Sequence, residues 1–100
     1  MNSKEIEQEV IRQYREGEEM MILVFAQWCV NQGLDPSELY TRAYPAHPES
    51  PALTHALGLT VPKEEAGEIA DDTLLTVLSF YDNPDLAFVV TEEIARRKRG

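Results

Sequence analysis

The sequence has a single cysteine, Cys29, in 100 residues. No intrachain disulfide can form, which excludes the disulfide framework of small secreted domains. Basic residues are also scarce. Residues 1–95 hold all eighteen acids but only Lys4, Arg12, Arg15, Arg42 and Lys63, a net −13 for that stretch. Such a body repels a phosphate backbone, so nucleic acid is not an expected partner, and a charged protein partner would be basic. Long apolar runs are missing too. The longest, residues 20–30, is eleven residues interrupted by Gln27. As a helix it spans about 16 Å, against roughly 30 Å of hydrocarbon. It therefore reads as a buried core helix, not a membrane span. The opening MNSKEIEQEV has no apolar stretch of the signal-peptide kind. A cytoplasmic location is the simplest expectation.

The hydrophobic fraction is 43%. That is enough for one core and points to a single helical domain over residues 1–100. The spacing predicts an all-α fold of about five helices, with a long first helix over 2–32. Asn2 is its expected cap, and Glu5, three residues on, would complete a capping box. Ile6, Val10, Tyr14, Met21, Phe25 and Trp28 stay in helical phase if Gly17 fills the gap between the two halves. No Ser, Thr, Asp, Asn or Pro near Gly17 starts a new helix, so a continuous or kinked helix is expected there. The segment MMILVFAQWCV is apolar nearly all round, and Phe25 and Trp28 are assigned to the core.

Gly33 followed by Leu34 reads as a helix stop. Asp35, Pro36 and Glu38 restart a short helix over 36–44. PAHPESP at 45–51 reads as a loop. Ser50 and Pro51 start a third helix over 51–57, with Gly58 as its end. Helix resumes from Pro62, either unbroken to Asp82 or restarted by Asp71 or Asp72. Asn83 caps a last helix that ends in the basic run 96–100; LAFVVT at 86–91 leaves a strand as the rival there. The basic run suits the negative end of that helix and can pair with the acidic body.

No catalytic motif emerges. Cys29 sits in the most apolar helix, where a thiol acts as a small hydrophobe. His47 and His55 lie in or near the loop, and none of the three has metal-ligand spacing. A helix-turn-helix spacing at Cys29, Gly33 and Leu39 is undercut by the would-be recognition helix PSELYTRAY, which offers one basic residue. The carboxylates offer the only enzyme reading: Glu16 with Glu19, and Glu65, Glu68 and Asp71, could chelate Mg²⁺ if they met on facing helices, as in an all-α hydrolase. The leading reading is a non-catalytic protein–protein interaction or regulatory module, with no cofactor. A helix over 2–32 would be about 46 Å long, whereas a 100-residue domain is roughly 34 Å across. Its N-terminal half would overhang by about two turns and expose Ile6, Val10, Ile11 and Tyr14. A homodimer through that stripe is expected, unless a break at Gly17 folds the first half back.

Overall fold

A computed structural model describes residues 3–47 and 50–99, with the side chains of Tyr14 and Arg99 excepted. Six helices follow one another: α1 Ser3–Asn31, α2 Pro36–Ala43, α3 Pro51–Leu59, α4 Lys63–Ala66, α5 Asp71–Phe80 and α6 Pro84–Arg99. No strand occurs among the described residues, and residues 86–91 lie inside α6. The expected Asn2 cap lies outside the described residues.

The second half of α1 is the axis of the core. Met21, Ile22, Phe25, Ala26, Trp28 and Cys29 are buried there, against Leu39 of α2, Leu53 and Ala56 of α3, Leu74 and Leu78 of α5, and Leu86, Val89 and Val90 of α6. Helix α3 runs against α1 most closely, whereas α6 packs on α2 and α5. The two buried polar residues of this helix, Gln27 and Asn31, are both paired. Gln27 donates to the Val61 carbonyl at 2.9 Å and accepts from the Val61 N–H at 3.0 Å. It also donates to Asn31 Oδ1 at 3.0 Å, and Asn31 donates to the Gly67 carbonyl at 2.9 Å. These two amides hold the non-helical residues around α4 to α1, supplying bonds that this irregular backbone lacks.

The helix ends follow local chemistry. Gly33 adopts φ +73°, and the Leu34 N–H reaches back to the Cys29 carbonyl at 2.8 Å, a Schellman closure. Asp35 caps α2 through the Ser37 N–H at 2.9 Å; Glu38 makes no return bond. Ser50 accepts from the Leu53 N–H at 3.3 Å to start α3. Gly58 does not end α3, which runs on to Leu59. The stop comes instead from Val61, which precedes Pro62 and is pushed out of the helical region. Between α4 and α5, Gly67 at φ +77° breaks the chain, so the region after Pro62 is two helices. Asn83 accepts from the Leu86 N–H at 3.3 Å and from the Tyr44 hydroxyl, capping α6 and tying it to α2.

Gly17 lies within an unbroken α1, so the first half does not fold back. A Cβ at Gly17 would lie 2.8 Å from Cζ and 2.9 Å from Cε1 of Tyr81, with the hydroxyl closer still. The glycine is there because the Tyr81 ring crosses the helix at that point. Gly17→Ala should therefore lower stability, although alanine gains about 1 kcal/mol of helix propensity over glycine. In a Tyr81→Ala background the same substitution should raise stability by about that amount. Equal effects of Gly17→Ala in the two backgrounds, read from denaturant unfolding, would contradict this packing.

Candidate interaction surface

Helix α1 has 29 residues and is about 43 Å long, in a molecule of 56 × 31 × 24 Å. The other helices cover it only from Gly17 onward: every described side chain from Ser3 to Glu16 is exposed. The arm is thus about 21 Å, or four turns, at 1.5 Å per residue. This is longer than the two turns expected, because α2 to α5 pack on the C-terminal half of α1 and α6 packs in turn on α2 and α5.

The arm is not polar all round. Ile6, Val10 and Ile11 are 51%, 60% and 48% exposed. By helical spacing Ile6, Val10, Gly17, Met21 and Trp28 share one side of α1. The exposed stripe therefore continues the face that is buried in the core. Its flanks are charged, with Glu9 and Arg12 paired at 2.5 Å. Phe80 and Phe88 are also exposed, the former edge-on to the Tyr81 ring; exposed apolar side chains of this kind occur on most surfaces.

Where the arm meets the body lies a cavity of about 310 Å³, whose walls include Glu18, Tyr40, Tyr44, Tyr81, Asp82 and Asn83. Asp82 sits at φ +51°, a left-handed conformation that aspartate tolerates. Burial pushes the Tyr44 hydroxyl above its ordinary pKa, partly offset by its bond to Asn83. The pocket is lined by two carboxylates, Glu18 and Asp82, and by no basic side chain among the described residues.

The five carboxylates of the hydrolase reading are not brought together. Glu16 and Glu19 lie at the base of the arm beside α3. Glu65 is exposed on α4, and Glu68 follows the Gly67 break, so the two do not share a helix face. Asp71 opens α5 and accepts from the Trp28 indole N–H at 3.1 Å and from Arg97. Among the described residues no three His, Cys, Asp or Glu side chains converge on a possible metal position.

The basic end of α6 is partly spent on the body. Arg97 bonds Asp71 and Gln32, and Arg96 lies 3.2 Å from Glu93. Glu93 is buried, flanked on its other side by Arg42 at 3.5 Å. One of its oxygens, Oε2, accepts no hydrogen bond and is held by the charge of Arg96 alone. Sequence reasoning missed this residue, since nothing in TEEIARRKR marks one glutamate as buried. Arg42 also pairs with Glu92 at 3.1 Å, so the one basic residue of α2 is engaged with α6.

Cys29 is fully buried, and desolvation pushes its thiol up to about 12. At neutral pH it is protonated and shielded, so a thiol reagent should modify native protein only at the rate of opening, far more slowly than unfolded protein. Comparable rates in the native and denatured states would contradict the burial. His47 and His55 are exposed. No helix among the described residues is long and apolar enough to cross a membrane.

Compared with known proteins, residues 2–95 match the family model described as YxiS. The chain is similar to a Bacillus subtilis (strain 168) protein titled "Uncharacterized protein YxiS". The two are 47% identical over 94 residues, which cover 93% of this chain and 98% of the relative. No solved structure matches the chain.

Proposed function

The chain belongs to the YxiS family, and we propose that it is a non-catalytic interaction protein that works by self-association through the arm of α1. One observation carries this reading: Ile6, Val10 and Ile11 stand in solvent on a helix that projects beyond its own core. An isolated helix of some fourteen residues is marginal in water. Here the first half is extended by a well-packed second half, yet the described side chains of its apolar side, Ile6, Val10 and Ile11, stay exposed. Water disfavours that stripe at about 25 cal/mol per Å². A second copy presents a matching stripe, and two-fold pairing is the commonest way such faces are covered. The acidic bodies oppose close approach, so the contact centres on the stripe. A further partner of such a pair would be basic, drawn by a net charge of −9 per chain.

Thermal unfolding at several concentrations tests this. Association with a second copy stabilises by mass action, so the midpoint should rise with protein concentration. In the double variant Ile6→Asp, Val10→Asp it should not, while the midpoint at high dilution stays close to wild type, since both residues lie outside the core. A wild-type midpoint independent of concentration would overturn the proposal, and so would a double variant that rises in step with it.

A further inference from the structure

We infer that the two arms pair antiparallel, about a two-fold axis near Val10, so that Lys4 of each copy docks against Glu18 at the base of the other's arm. This rests on the self-association proposed above and adds its orientation and end contact.

The first argument is steric. The stripe of Ile6 and Val10 lies on the same side of α1 as Met21 and Trp28, the side on which the body is built. The body begins abruptly at Gly17, where Tyr81 crosses the helix. Helices in contact sit about 8–10 Å apart. In a parallel pair, each body would occupy the space into which the other projects. In an antiparallel pair, each arm lies along the other's stripe and the bodies occupy opposite ends.

The second argument is electrostatic. Residues 4–9 carry Lys4, Glu5, Glu7 and Glu9, a net −2, whereas 10–15 carry Arg12 and Arg15, a net +2. Parallel pairing stacks acid on acid. Antiparallel pairing sets the acidic half of each arm beside the basic half of the other and holds the two acidic bodies apart.

The third argument is the arm's end. A two-fold axis at Val10 sets residue 4 of one copy opposite residue 16 of the other, so residue 18 lies about 3 Å further along the axis, within reach of a lysine side chain. By helical phase Lys4 and Glu18 lie on the same flank of the stripe, and an antiparallel pair brings like flanks together. Glu18 is half-buried and lines, with Asp82, a cavity that has no base among its described lining residues. A lysine is the side chain that this opening lacks.

Cysteine cross-linking and a charge swap test the geometry, with sedimentation equilibrium run on the same proteins. Val10→Cys should oxidise to a covalent dimer. Ile6→Cys should not, because an antiparallel pair separates its two copies by about 12 Å along the axis, beyond disulfide reach. Cys29 is buried and stays out of the exchange. Lys4→Glu should weaken the dimer about fivefold through two lost pairs, and Lys4→Glu with Glu18→Lys should restore it. If both single cysteines link equally, the pairing is parallel. If neither links in a protein that sediments as a dimer, Val10 is not the centre. Either result overturns the orientation and leaves self-association standing. A failed charge swap in a dimer linked through Val10 overturns the end contact, and a monomer throughout overturns the underlying proposal.

Discussion

Phe25→Ala should cost on the order of 3–5 kcal/mol, a large share of the 5–15 kcal/mol that holds a domain of this size. Phe25 is fully buried on the α1 face against which α3 and α5 pack. Truncation removes a ring from the centre of the core, and the elements lining the gap are pinned elsewhere. Gln27 and Asn31 hold the segment around α4, and the Tyr44–Asn83 bond holds α2 to α6. Collapse into the cavity should therefore be limited and the loss towards the upper end. Denaturant unfolding measures it. A loss below about 1 kcal/mol would mean that Phe25 is not in the core.

Gln27→Leu should be nearly as informative, with a cost of roughly 2 kcal/mol despite the similar volume and greater hydrophobicity of leucine. Gln27 both donates to and accepts from Val61, and it donates to Asn31. Leucine leaves those groups without their partner, and an unpaired buried polar group costs about 1–3 kcal/mol. Val61 is partly exposed, so water recovers part of its share. The effect has a local signature: hydrogen exchange at the Val61 amide should accelerate well beyond that of the α1 core amides. A neutral or stabilised variant with unchanged exchange at Val61 would show that the amide clamp contributes nothing.

Most of the helical framework was legible because its signals are local. Gly33 with Leu34, Asp35 with Pro36, Ser50 with Pro51 and Asn83 with Pro84 each mark a boundary through backbone geometry or a capping oxygen. Gly58 misled because a glycine near a helix end suggests a stop, whereas the nearby Val61–Pro62 step sets the end here. The reason for Gly17 was not legible. It depends on Tyr81, 64 residues later in the chain, and no local pattern announces a ring crossing a helix. Gln27 and Asn31 carried a usable signal, since amides four apart in an apolar helix require partners, but the partners are backbone groups at Val61 and Gly67 that only the fold brings near. Of the carboxylate pairs, Glu16 and Glu19 keep their spacing on α1, whereas Glu65 and Glu68 do not share a helix, for a physical reason. Spacing of three residues makes a face only while the helix lasts, and Gly67 separates Glu65 from Glu68. The overhanging stripe was legible because it needs only a helix length and a domain diameter. Its full extent depended on where the other five helices pack.

Sedimentation equilibrium of the wild-type chain, at concentrations spanning roughly a hundredfold, tests the central claim most directly. Self-association through the α1 arm requires the mass to approach that of two chains at the upper end of the range and to fall towards one chain on dilution. In Ile6→Asp, Val10→Asp it should stay at one chain throughout. A wild-type mass of one chain at every concentration would contradict the claim, as would a dimer that the two aspartates leave intact.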